Sequence, residues 1–342
     1  MELGRLAISL PLPFLTSREC VALAQKAEEE WGYDAIWLAE TAGPDAFALA
    51  GALAQGTRCS TIGTAVVPVY NRTPAVLAMG ASTLAQLSEG RFILGIGSSS
   101  HAIVEEWNGV AFDRPLTRVR ETVAVLRQAL AGERTDFVGQ TVRSRGLRLG
   151  SVPAHPVPIY VGALREKMLA LAGEVADGLC VNLFPVSALP KMLAAYQAGA
   201  RRAGRDGSRD EVVCRFQVAL TDDLPAARNL ARLAFSAYIA APVYNKFFAW
   251  CGFENEARAV AQAFARRDRA ATGAAMSDDL IDRVFILGSA ERCRAQIAEF
   301  VAAGVTTPVL SPLAVDRRGI MAVFEAFAPK KLGQSHAGET TA

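Results

Sequence analysis

The chain has little of the material from which metal and acid–base sites are usually built, with three histidines in 342 residues and six cysteines, none of them in a Cys-x-x-Cys pair. Zinc sites need clustered Cys and His ligands, so a zinc centre is excluded and a histidine-based triad is disfavoured. Cys20, Cys59, Cys180, Cys214, Cys251 and Cys293 lie far apart, which excludes the dense disulfide framework of a small secreted protein. A reducing cytoplasm is the expected setting. Charge of one sign is also lacking: 36 Lys and Arg stand against 34 Asp and Glu, a net charge of +2. The basic groups Arg143 and Arg145, Arg201 and Arg202, and Arg266 and Arg267 are short and lack interleaved aromatics. They read as solvated faces, and no nucleic-acid partner is expected. No apolar run approaches the roughly 20 residues that cross a bilayer. The stretch after Arg5 is broken by Pro11 and Pro13, unlike a signal peptide. The partner that remains is a small-molecule substrate, with no membrane.

What the chain does have is hydrophobic content, at 51%, arranged in alternation. Short β-branched or apolar runs recur at Leu3–Leu10, Asp34–Ala39, Ser60–Val67, Arg91–Gly97, Pro158–Ala163, Gly178–Leu183, Val212–Leu220 and Val305–Ser311, with helical stretches between them. In the helix from Pro115 to Leu130, for example, Leu116, Val119, Val123, Leu126 and Leu130 fall at three- and four-residue steps. Eight such βα units predict an α/β fold, a closed (β/α)8 TIM barrel. An open doubly wound sheet would place its Gly-rich turn before the first helix, whereas here Gly95-Ile-Gly97 opens the fourth. Residues 1–329 are expected to form one barrel domain. It carries insertions at about 132–157, rich in Gly and Pro, and at 222–276, a helical stretch after the seventh strand with Phe235, Tyr238, Tyr244, Phe247, Phe248, Trp250 and Phe253. Residues 330–342 read as a mobile tail.

Function in such barrels gathers at the carboxyl ends of the strands. That rule selects Ser9, Glu40, the segment Ala65–Pro68, Gly97–Ser100, Gly162–Arg165, Asn182, Phe184, Gln217 and Ser311. Pro68 cannot donate to a ladder, so its strand must stop or bulge there. Gly97, Ser98 and Ser99 offer close backbone approach, N–H groups and hydroxyls, suited to a phosphate or carboxylate. Arg165 and Lys167 fall in the first turn of a helix, where positive charge opposes the dipole unless an anion compensates. Glu40 ends an apolar strand and is the one carboxylate of the set. It can hold or relay a proton, or accept hydrogen bonds and stay ionised. His101, after three serines, reads as a surface residue at a helix start. The third helix has Gly80 in its middle with Ala75, Ala78, Ala81 and Ser82, which permits close approach either of the barrel or of a second subunit.

Taken in order, Tyr33-Asp-Ala-Ile-Trp-Leu-Ala-Glu40, Gly63-Thr-Ala-Val-Val-Pro68 with Tyr70-Asn-Arg-Thr-Pro74, Leu87-Ser-Glu-Gly-Arg-Phe-Ile-Leu-Gly-Ile-Gly97, Val104-Glu-Glu-Trp-Asn-Gly109 with Arg114-Pro-Leu-Thr-Arg118, and Pro158-Ile-Tyr-Val-Gly-Ala163 with Ala172-Gly-Glu-Val-Ala-Asp-Gly178 form a pattern. With them the chain resembles the luciferase-like monooxygenase superfamily, and within it the coenzyme F420-dependent oxidoreductases related to methylenetetrahydromethanopterin reductase. The resemblance implies a deazaflavin ring against a non-proline cis peptide at Ala65–Val66, reached from Thr64, with homodimers as the family's tendency. It also implies a cofactor phosphate held between Gly97-Ser98-Ser99 and Gly162-Ala163-Leu164-Arg165. Alcohol- and sugar-oxidising relatives carry a histidine after the acid of the second strand, where this chain has Thr41. The reaction implied is therefore hydride transfer from coenzyme F420 to an unsaturated C=C or C=N bond of a small substrate, with Glu40 as the catalytic candidate. Two alternatives remain open here, an FMN-dependent monooxygenase using oxygen and a non-catalytic flavin-binding protein.

Overall fold

Each barrel strand is short and buried on both faces, as expected where helices cover one side and a filled interior the other. The computed structural model describes residues 2–333. Its barrel strands are β1 (Ala7–Leu10), β2 (Ala35–Leu38), β3 (Thr61–Thr64), β4 (Phe92–Gly97), β5 (Ile159–Gly162), β6 (Gly178–Asn182), β7 (Glu211–Leu220) and β8 (Thr307–Pro312). All pairings between neighbours are parallel, and β8 returns to β1 through Ala7 opposite Val309, so the sheet closes. The (β/α)8 barrel of the sequence reading is the observed fold. Inward-facing Ala7, Ala35, Trp37, Ile93, Tyr160, Cys180, Val213 and Val309 fill the interior, while Ile8, Leu10, Ile36, Leu38, Ile62, Leu94 and Ile96 pack outward beneath the helices. Trp37 and Tyr160 stack across the interior with ring centroids 5.8 Å apart.

The amino-terminal ends of the strands form a base in which polar groups are paired. Arg5 Nε donates to Asp34 Oδ1 at 3.0 Å and its Nη2 to Thr61 Oγ1 at 2.7 Å. Tyr160 Oη donates to Glu211 Oε2 at 2.6 Å, and Thr307 Oγ1 donates to the other oxygen of that carboxylate. Glu28 accepts the backbone N–H groups of Arg58, Cys59 and Ser60 at 2.9, 2.8 and 2.6 Å, fixing the chain as it enters β3.

Several details depart from the sequence expectations. The first strand begins at Ala7 instead of Leu3, because Gly4 adopts a φ of +61° and turns the chain before it. The helical stretch after β7 runs on through Asp278–Val284 and is followed by an unread strand, Ile286–Gly288, which pairs with the upper end of β7. Three residues of apolar sequence beside a helix carry too little periodicity to be told from its continuation. The excursion between the fourth helix and β5, by contrast, reads from sequence as room for a small hairpin and does contain an antiparallel pair, Asp136–Val138 with Arg143–Arg145. Glu121, from helix Pro115–Leu130, gathers its turn by accepting from the N–H groups of Gln140, Thr141 and Val142. The tail begins with an ordered turn, Pro329–Leu332, in which Lys330 Nζ donates to Glu29 O at 2.6 Å. Residues 334–342 of the expected mobile tail lie outside the described residues. Gly80 serves internal packing, since a Cβ there would stand 2.4 Å from the ring of Phe47. Among the described residues no helix is long and apolar enough to cross a membrane.

Candidate functional site

At the carboxyl rim β3 ends at Thr64, the Ala65–Val66 peptide is cis, and Val67–Pro68 rejoins the sheet beside Ile96 and Gly97 of β4. The bulge leaves Ala65 and Val66 partly exposed while their neighbours are buried. Val66 is wedged between the next two strands. A Cβ on Gly97 would come within 2.6 Å of Val66 Cγ2, and one on Gly162 within 3.0 Å of Val66 Cγ1. The two glycines first read as phosphate turns are thus also the condition for Val66 to sit where it does. Thr64 is fully buried, and its hydroxyl both donates to Gly95 O at 2.7 Å and accepts from Gly95 N–H at 2.8 Å. Its side chain ties β3 to β4 and is not offered to the rim.

The structure brings the two Gly-bearing turns together on adjacent strands, with Ile96 opposite Val161 one residue before each glycine. Ser98 and Ser99 are partly exposed, and Ser99 has a φ of +65°. They lead into a π-helical turn, Ala102–Trp107, whose preceding residue His101 is exposed and lies edge-on to Phe112 at 4.4 Å. On the other turn Ala163 is buried and donates its N–H to Cys180 O, Leu164 is partly buried, and exposed Arg165 precedes helix Glu166–Val175 without a side-chain capping bond.

Glu40 lines a cleft of about 350 Å³ together with Thr41, Asp45, Pro68, Asn71 and Arg72. Its two oxygens take Arg72 Nη1 and Nη2 at 2.5 and 2.7 Å, and Oε1 also accepts the Ala46 N–H at 3.0 Å. Arg72 further pairs with Asp45, whose other oxygen caps helix Ala46–Gly56 at Ala48 N–H, 2.9 Å away. Burial would push the Asp45 carboxyl up, but the backbone N–H groups and Arg72 outweigh it and hold it below the usual range. The carboxylate read from sequence as a proton carrier or a hydrogen-bond acceptor anchors a guanidinium and a helix N–H here. Arg72 was visible within the Asn71-Arg72-Thr73 motif, but nothing in the sequence showed which acid it would meet.

The opposite wall was missed more completely. Arg215 sits mid-strand on β7 in the inward register of Val213, opposite Asn182 and Val309. Its Nη2 donates to Ser311 Oγ at 3.0 Å, while its Nε is buried without a partner. Burial lowers its proton affinity, opposed by the nearby phenols of Tyr238 and Tyr244. Tyr244, from helix Pro242–Trp250 of the insertion, donates to Asn182 Oδ1 at 3.1 Å, and Tyr238 packs on it at 4.4 Å. The remaining aromatics of the insertion mostly pack within it, Phe247, Phe248 and Phe253 being buried. The signal available in the sequence was a lone cation in the run Val212-Val-Cys-Arg-Phe-Gln-Val218. Two more interior polar atoms, Ser9 Oγ and Trp37 Nε1, are buried and unpartnered. Among the described residues no group of three or more His, Cys, Asp or Glu could hold a metal ion.

Comparison with known proteins places this geometry. Residues 10–307 match the family described as luciferase-like monooxygenase. The chain is 31% identical over 289 residues to the 5,10-methylenetetrahydromethanopterin reductase of Methanolobus tindarius, covering 84% of this chain and 88% of that protein. It is 32% identical over 317 residues to a Mycobacterium tuberculosis protein assigned as a coenzyme F420-dependent oxidoreductase, covering 83% and 88%. Its fold superposes on the coenzyme F420-dependent tetrahydromethanopterin reductase of Methanopyrus kandleri with a TM-score of 0.78 at 24% identity, covering 95% and 97% of the two chains.

Proposed function

The chain belongs to the luciferase-like monooxygenase family, and from that premise we propose that it is a coenzyme F420-dependent oxidoreductase that reduces a C=C or C=N bond of a small organic substrate. The observation that carries the reading is the Val66 shelf, partly exposed at the mouth and seated between Gly97 and Gly162 where no side chain fits. A flat ring matches such a shelf, and the orphaned Ser9 Oγ and Trp37 Nε1 in the interior below suit a heterocycle with carbonyl and N–H edges. In this reading Ala65 and Val66 would back the ring. The turns Gly97-Ser98-Ser99 and Gly162-Ala163-Leu164-Arg165 would take the phosphate, with Arg165 supplying charge and the serines hydroxyls. The cofactor, when bound, supplies the hydride.

The protein's own part is orientation, exclusion of water and proton handling. Glu40 and Asp45 hold Arg72 at the cleft, and Thr41 occupies the position where alcohol-oxidising relatives place a histidine. That replacement removes a base for hydroxyl substrates and favours reduction. Glu40 is the candidate for moving a proton at the cleft, and its pairing with Arg72 fixes where its carboxylate stands. Helix Pro74–Leu87 leaves Val76, Met79 and Leu87 exposed, and in this reading a homodimer would pack there, to be checked by sedimentation of a V76D/M79D variant.

The decisive experiment supplies purified protein with reduced coenzyme F420 or reduced FMN, without and with oxygen, against a panel of enones and imines. Oxidation of the deazaflavin that depends on the enone or imine and not on oxygen supports the reading. Tight FMN binding with oxygen consumption and no deazaflavin affinity would replace it with the monooxygenase alternative. In Glu40→Gln the turnover should fall about 100-fold if Glu40 moves the proton.

A further inference from the structure

Arg215 is a cation inside the barrel mouth whose charge no carboxylate answers among the described residues. Of its five N–H donors one reaches a neutral hydroxyl, Ser311 Oγ, and its Nε is buried without any acceptor. Arg215 is partly buried, and an Nε held out of water without an acceptor costs stability, so its retention calls for a compensating partner that is not part of the chain. The surroundings are donors as well. Asn182 spends its Oδ1 on the Tyr244 hydroxyl, which leaves its Nδ2 to give, and Ser9 Oγ on β1, two strands away, is buried and unpaired.

We propose that Arg215, with Asn182 and Ser311, forms the subsite that receives a carboxylate of the substrate. With Nη2 on Ser311, the Nε–H and both Nη1 N–H groups of Arg215 have no acceptor, which leaves donors to spare for carboxylate oxygens. Position separates this anion from the cofactor's. Arg215 lies on β7, four strands around the eight-stranded ring from the Val66 shelf on β3, and neither β4 nor β5, which carry the phosphate turns, adjoins it. Its covering residues Tyr238 and Tyr244 come from the helical insertion. The subsite therefore faces the shelf across the mouth, on the side from which a second molecule would approach the ring.

The substrate assignment rests on the reduction reading above, but the subsite is tested apart from turnover. Cofactor-free protein is titrated with benzoate and with its neutral isostere benzamide by calorimetry, in wild type and in Arg215→Lys, Arg215→Gln and Arg215→Met, and each variant is also titrated with coenzyme F420. Benzoate should bind wild type and benzamide should not. The Gln and Met variants should weaken benzoate about 30-fold or more, Lys should retain part of the affinity, and the affinity for coenzyme F420 should be unchanged. Arg215→Met should also raise the melting temperature by about 2 °C, because it removes a buried Nε–H that has no acceptor. The proposal is overturned if benzoate fails to bind wild type or binds Arg215→Gln equally well, or if benzamide binds like benzoate. It is overturned too if Arg215→Met melts lower, marking a structural cation, or if the variants lose the cofactor while keeping benzoate, assigning the cation to the cofactor's ring. Failure of enone reduction with benzoate binding intact would count against the reduction reading alone.

Discussion

At the base of the barrel Arg91 gives hydrogen bonds to Ala54 O, Thr57 O, Thr57 Oγ1 and Ser60 O, whereas at the mouth Arg215 reaches Ser311 Oγ alone. The rim acids Glu40 and Asp45 are paired with Arg72, so the contrast lies among interior donors and hydroxyls. Glu28, Asp34, Glu211 and Thr61 at the base all have partners, while Ser9 at the mouth has none. The base groups stand at or just before the start of the strands or on a helix beneath them, whereas Ser9 and Arg215 stand within strands and face the interior. The base is arranged for stability and the mouth keeps donors in reserve for a ligand, at some cost to the free protein.

The sharpest way to break this comparison is to make one substitution at both ends. Arg91→Met removes four hydrogen bonds and leaves three backbone carbonyls without their donor, which should cost on the order of 4 kcal/mol in urea denaturation. Arg215→Met should shift stability the other way. Equal losses at both ends would show that the mouth arginine is structural and that the contrast has no functional content.

Acid sharpens the comparison next. Burial pushes the Glu28 carboxyl up, but the N–H groups of Arg58 and Cys59 and the hydroxyl of Ser60 prevail and hold it at about 2, against an ordinary 4.5. A carboxyl lowered on folding contributes stability that is fully present above pH 4.5 and lost as pH falls toward 2. Allowing for solvent screening, the base should lose on the order of 2 kcal/mol over that window. Glu28→Gln should be less stable at neutral pH and show a shallower acid limb, measured by urea midpoints across pH. An unchanged limb would remove Glu28 from the account.

These contrasts also mark how far the sequence could be read. Alternation of apolar runs with helical periodicity was enough for the eight-stranded barrel, because burial on two faces leaves a strong pattern. The bulge at Ala65–Val66 was legible through Pro68 and through the order of motifs shared with the family. What sequence could not show is pairing across distance. Glu40 and Arg72 are 32 residues apart and Arg215 and Ser311 are 96 apart, and whether a charged side chain meets a counter-charge depends on register around the closed ring. Arg215 was visible as a misfit in an apolar strand, but a misfit alone does not say which end of the barrel it faces. The strand Ile286–Gly288 was lost for a different reason, being too short for a period to repeat.

The smallest effect expected is at Ser9, and it isolates the mouth from any question of charge. Its hydroxyl is 1% exposed and unpartnered, so the free protein bears a desolvation penalty for a group that does nothing within the fold. Ser9→Ala should therefore stabilise the cofactor-free protein by about 1 kcal/mol, where removal of a paired buried hydroxyl would destabilise it by a similar amount. The same variant should bind coenzyme F420 or the substrate carboxylate more weakly, since the donor kept in reserve is then missing. Denaturation with and without each ligand separates the two contributions: a gain that shrinks when ligand is present supports a reserved donor. A loss of stability in the free protein would mean that Ser9 is paired after all, and that the mouth obeys the same rule as the base.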